Sequence, residues 1–159
     1  MNDFIFIAQW WLVFFVIGVI FLPITSLIFS NFFDKGYIFS KILGIAFISY
    51  LIFLLGILKL LPFTALTILL VILFFTVINI LVLKNRFRST IEQSNNGTII
   101  IFLFEEFLFL IGLSFWSFIR ANKPEIHGLE KYMDFGFINS ILRSTYFPKV
   151  HMWFHPFPI

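Results

Sequence analysis

Long apolar runs separated by short polar breaks fill the first 119 residues, and only the last forty leave that rhythm. The runs cover about residues 4–29, 37–58, 63–83 and 98–119. At roughly 1.5 Å per residue, each is long enough as a helix to cross a ~30 Å hydrocarbon layer. Inside lipid an isolated apolar segment can satisfy its backbone only by coiling, so the pattern predicts an all-α, polytopic transmembrane fold with four spans. Pro23 falls near the far end of the first run and is expected to kink it. Lys59, Leu60, Leu61 and Pro62 make a tight link that sets the second and third spans side by side and antiparallel. A polar stretch from Lys84 to Gly97, with Asn95, Asn96 and Gly97 as turn formers, reads as the loop before the fourth span.

Composition agrees with that class. With 60% apolar and 12% charged residues and a mean hydropathy of +1.03, the chain cannot present the charged surface that a soluble domain needs. The first run is no cleavable signal peptide, because no Lys or Arg precedes it and its apolar core is too long. The 26 phenylalanines are spread over every run and read as hydrophobic filler. Cysteine is absent, which excludes a disulfide framework and a thiolate metal site. The net charge of +3 does not point to nucleic acid, since the basic residues are dispersed among short loops. They instead orient the spans: Lys35 and Lys41 after the first, and Lys84, Arg86 and Arg88 after the third, mark cytoplasmic loops. The expected placement is therefore a multi-pass protein of the cell membrane with its N-terminus and C-terminal tail outside.

Two carboxylates break the fourth run. Glu105 and Glu106 lie roughly 10 Å inside it, where an ionised group costs on the order of 3 kcal/mol unless it pairs or faces protein. Neighbouring helical residues point about 100° apart, so the two cannot share one partner. One reading is a proton relay or ion site; the other is a buried hydrogen bond or ion pair that fixes packing, with Lys41, Thr76 or Asn79 at comparable depth. The residue depths lead to the expectation that Glu105 meets Lys41.

Residues 120–159 form a second region, outward-facing and either interfacial or re-entrant, beside the transmembrane region 1–119. It holds all three histidines and four of the six prolines. If Glu130 to Leu142 is helical, Glu130 and Asp134 share a stripe with Phe137, Ile138 and Ile141, while Asn139 and Arg143 point away. Asp134 also has the character of a cap for a helix that starts at Phe135. Arg143, His151 and His155 could bind phosphate or lipid headgroups, and Trp153 suits either a sugar platform or an interfacial aromatic belt. Pro156 and Pro158 argue against a zinc-type histidine pair.

The segment Glu130-Lys131-Tyr132-Met133-Asp134-Phe135, continued by Leu142-Arg143-Ser144, Phe147-Pro148 and Trp153, resembles the signature of the prokaryotic YYY membrane proteins. These look like glycosyltransferases of the GT-C type. Asp34-Lys35-Gly36-Tyr37, Ser40-Lys41-Ile42-Leu43-Gly44 and the Glu105-Glu106 pair also look like that family. The chain departs from the pattern at Lys123, where Asn is usual, at Tyr132, where Pro is usual, and at His151-Met152, where Asp-Pro precedes the Trp. The resemblance implies the N-terminal portion of a longer enzyme that uses a polyprenyl-phosphate-linked sugar. It further implies Asp134 and Glu130 as catalytic carboxylates, Arg143, His151 and Trp153 as substrate contacts, and room for a divalent metal as cofactor. Glu105, Glu106 and Lys41 take structural intramembrane roles. The competing reading is a transporter or a non-catalytic membrane scaffold.

Overall fold

A computed structural model describes residues 3–91, 96–122 and 129–147. Five helices follow one another: α1 (Asp3–Ile28), α2 (Tyr37–Ile57), α3 (Ala65–Ile91), α4 (Asn96–Ala121) and α5 (Leu129–Arg143). No strand occurs among the described residues. Four helices are long and apolar enough to cross a membrane, over Phe4–Ile28, Tyr37–Ile57, Ala65–Val82 and Ile99–Ala121. Most of their large apolar side chains face outward, as lipid-facing surface does.

The boundaries of the third and fourth helices differ from the hydrophobic pattern. α3 runs on through Lys84, Arg86 and Arg88 to Ile91, and α4 already begins at Asn96, so the polar stretch is mostly helix rather than loop. Lys and Arg are good helix formers and no Gly or Pro interrupts residues 84–91; hydropathy marks where lipid ends, not where the helix ends. The third helix also starts two residues late, because Thr64 caps it. The Thr64 hydroxyl accepts the Thr67 N–H at 3.3 Å, and the Thr67 hydroxyl donates to the Pro62 carbonyl at 2.6 Å. α2 ends in a Schellman motif, with Lys59 N–H bonded to the Gly56 carbonyl at 3.1 Å and Leu60 N–H to that of Leu55 at 3.0 Å. Lys59 occupies the left-handed position of that motif at φ 54°.

The helices pack into two compact units, Met1–Phe47 with Leu73–Lys123, and Ile48–Ile72 with Pro124–Ile159. In the first, Phe21 of α1 is fully buried between Phe47 of α2 and Phe75 of α3, with ring centroids 6.3 and 5.1 Å away. Lipid offers apolar side chains no incentive to leave it, so close packing of shapes holds such helices together. Gly18 and Gly44 allow that approach. A Cβ on Gly44 would collide with Ile17 and stand 2.9 Å from the Phe21 ring, and one on Gly18 would stand 3.0 Å from Lys41 Cγ. Gly44→Val is expected to lower the melting temperature of the detergent-purified protein, with an overpacking cost of about 1–3 kcal/mol. Gly112 has open space where its Cβ would stand, and Gly112→Ala should leave the melting curve unchanged.

In the second unit Phe147 seats against Gly56, with Phe53 at 5.9 Å and Phe63 at 5.4 Å, and Phe63 N–H donates to the Thr145 carbonyl at 2.8 Å. The segment after α5 is thereby tied to the α2–α3 link. Two crossings precede that link and four precede the tail, so chain parity puts both on one face of the membrane, in agreement with their contact. The basic loops give an expectation for which face is external, and that expectation has a direct check in this cysteine-free chain. Ser144→Cys is expected to react with an impermeant thiol reagent applied to intact cells, and Lys84→Cys to be protected; the reverse pattern inverts the topology.

Candidate functional site

The turn between α1 and α2 is built by Asp34. Its Oδ1 accepts the Gly36 N–H at 3.1 Å and its Oδ2 the Ile38 N–H at 3.3 Å, so a carboxylate covers the free N–H groups at the start of α2. Lys35 and Gly36 both take left-handed backbone, at φ 50° and 77°, and a Cβ on Gly36 would stand 2.7 Å from that of Phe29. Glycine is required there for both reasons. The turn delivers Tyr37 and, one helical turn later, Lys41 onto the same face of α2.

α4 answers with Phe102, Glu106 and Phe109, spaced four and three residues apart and hence on one face. Lys41 Nζ lies 2.5 Å from Glu106 Oε1, and the Tyr37 hydroxyl donates to the same oxygen. Phe102 stacks on Tyr37 at 4.6 Å, and Lys41 Nζ sits 3.9 Å over the Phe109 ring. Phe109 in turn meets Phe14 of α1 edge-on at 5.6 Å. Lys41 and Glu106 are only 7% and 8% exposed, so both charges are withdrawn from solvent and the carboxylate and ring together surround the ammonium. The second oxygen of Glu106 and Oε2 of Glu105 are buried without a hydrogen-bond partner among the described residues.

This geometry corrects the expected pairing: Glu106, not Glu105, meets Lys41. The rings decide it, since Phe102 on Tyr37 and Phe109 on Phe14 fix the rotation of α4, and Glu105 then falls about 100° away. Asn79 is buried, but its amide donates to the Phe75 carbonyl of its own helix at 2.8 Å rather than to a carboxylate. Tyr37 and Asp34 were visible only as pieces of motif. The signal that singles out Tyr37 is its four-residue spacing from Lys41, matched by Phe102 and Glu106.

In the tail, α5 begins at Leu129, which places Asp134 in its second turn and rules out the capping role at Phe135. Asp134 is exposed, as are Arg143 and Ile138, while Phe137, Asn139, Ser140 and Ile141 are half-buried. The covered stripe is therefore rotated from the expected one: Asn139 turns toward it and Ile138 away. Glu130 stands one turn before Asp134 in the same helix; His151 and Trp153 lie outside the described residues. Lys41, Tyr37 and Glu106 are brought together in the first unit, whereas α5 belongs to the second. Among the described residues no three His, Cys, Asp or Glu side chains converge, so they do not make up a divalent-metal donor set.

Four helices long and apolar enough to cross a membrane, the second and fourth joined by a buried ion pair, define a polytopic α-helical membrane protein. Residues 47–158 match the family described as "Uncharacterized membrane protein (DUF2298)", and the chain belongs to that family. The match takes in Glu105, Glu106 and all of α5. No curated protein and no solved structure matches the chain.

Proposed function

We propose that this chain is the N-terminal portion of a membrane glycosyltransferase of the YYY, GT-C-like kind, which draws its sugar from a polyprenyl-phosphate carrier. One observation carries the reading: the motif-like segment from Glu130 to Arg143 lies in a helix that leaves the Asp134 carboxylate exposed, and the residues just after it are fastened to the α2–α3 link. A free carboxylate beside the membrane can take the proton from an acceptor hydroxyl as that oxygen attacks the anomeric carbon, while the lipid phosphate departs from the opposite face. Arg143, exposed at the end of α5, is suited to the leaving phosphate, and Glu130 to supporting Asp134 from one turn away. His151 and Trp153 complete the substrate contacts in this reading. A metal has no complete donor set among the described residues, and no step is assigned to one.

The full-length protein, purified in detergent and given synthetic polyprenyl-phosphate glucose, mannose or galactose, is expected to release polyprenyl phosphate in the presence of a hydroxyl acceptor. Absence of release with all three donors and membrane extract as acceptor source overturns the transferase reading. A non-catalytic membrane scaffold then takes its place. The observation that favours the scaffold is the Lys41–Glu106–Tyr37 node, in which the charges are consumed by each other.

A further inference from the structure

We infer that α5 lies flat in the membrane–water interface, with Phe135, Ile138 and Leu142 inserted into the acyl boundary of the bilayer. These three side chains are exposed and stand three and four residues apart, so they form one continuous apolar stripe along the helix. Lys131, also exposed, begins the same stripe one turn earlier, where its stem can lie along the lipid while the ammonium reaches the headgroups. The opposite side is the covered one, made by Gly136, Phe137, Ser140 and Ser144. On that covered side the Ser144 hydroxyl turns back onto the helix and donates to the Ser140 carbonyl at 2.7 Å, while Asn139, which flanks the stripe, donates to the Phe135 carbonyl at 2.9 Å.

Three facts select lipid as the occupant of the stripe. The α2–α3 link joins two membrane-crossing helices and so marks the bilayer boundary, and its exposed Leu58 and Leu60 continue an apolar surface there. Phe147 and Thr145 are bonded to that link within its own packing unit, and only Ser144 separates Thr145 from the last residue of α5. The C-terminal end of α5 is thus held at the depth of the boundary. Finally, 15 residues at about 1.5 Å each reach roughly 22 Å, too short to cross, while exposed Lys131, Asp134 and Arg143 bar deep insertion. An interfacial helix with its apolar face about 5–10 Å into the headgroup–acyl boundary satisfies all three. Asp134 lies about 70° around the helix from the stripe, at the level where lipid headgroups meet water. The inference about α5 stands whether or not Asp134 does chemistry.

The absence of native cysteine makes the test direct. Single cysteines at Phe135, Ile138 and Leu142 are spin-labelled in the full chain, reconstituted into vesicles of phosphatidylethanolamine and phosphatidylglycerol. Leu69, exposed on α3, serves as the lipid-facing reference. All three positions are expected to collide with oxygen several-fold more than with a water-soluble nickel complex, at a shallower depth than Leu69. Ready collision with the nickel complex at all three would place the stripe in water and overturn the inference. Exclusion of both reagents would overturn it equally, since it would mean that another protein surface, such as a second copy of the chain, covers the stripe.

Discussion

Glu106→Gln is expected to reduce the folded, detergent-extractable yield severely, while Glu105→Gln leaves most of it. Glu106 holds the Lys41 ammonium at 2.5 Å and accepts from the Tyr37 hydroxyl, and both charges are buried. Neutralising it strands a buried cation, a change that typically costs about 3–5 kcal/mol, much of a domain's net stability. Among the described residues no cation forms such an ion pair with Glu105. Fluorescence-detected size exclusion and melting in one detergent measure the difference. Lys41→Met should rescue Glu106→Leu, because an apolar pair of similar volume removes both charges together. The exchange Lys41→Glu with Glu106→Lys should recover only part of the loss, since the Phe109 ring lies 3.9 Å from the present ammonium and would then face a carboxylate. Equal damage from the Glu105 and Glu106 changes would refute the assigned rotation of α4.

Asp134→Asn is expected to slow release of polyprenyl phosphate by about 10²- to 10⁴-fold, the usual worth of a general base, without altering insertion or melting. The fold should tolerate it because the side chain is exposed in the second turn of α5 and carries no capping bond. The isosteric amide keeps the shape and loses only the ability to take a proton. Glu130→Gln should cost less, since in this reading it acts through Asp134 rather than on substrate. Normal turnover by Asp134→Asn in a full-length enzyme whose wild type is active would remove Asp134 from the chemistry and leave the transferase reading to other residues. Loss of melting stability along with turnover would instead make Asp134 a packing residue.

The spans were legible because lipid imposes a long, one-dimensional constraint: about twenty apolar residues in a row have few other uses in a chain with so little charge. The same logic misjudged the stretch after the third span, where helix continues beyond the hydrocarbon through Lys84, Arg86 and Arg88. Hydropathy reports the solvent of a residue, and helix formation outlasts the change of solvent. The candidate site was legible in pieces. Asp34-Lys35-Gly36-Tyr37, Lys41 and the Glu105-Glu106 pair each stood out, yet nothing in the linear order joins α2 to α4.

By itself, then, the sequence determined an all-helical membrane protein with four apolar spans, a tight α2–α3 link and a polar tail. All of these depend on contiguous residues and on transfer between water and lipid. Only the tertiary structure decided that Glu106 rather than Glu105 takes Lys41, that Tyr37 shares the same oxygen, and that Phe147 fastens the tail at Gly56. In lipid every apolar face is equally comfortable, so helix rotation is fixed by shape and by a few polar contacts between residues far apart in the chain. The 26 phenylalanines read alike along the sequence, and packing alone gave Phe102, Phe109 and Phe147 their separate roles.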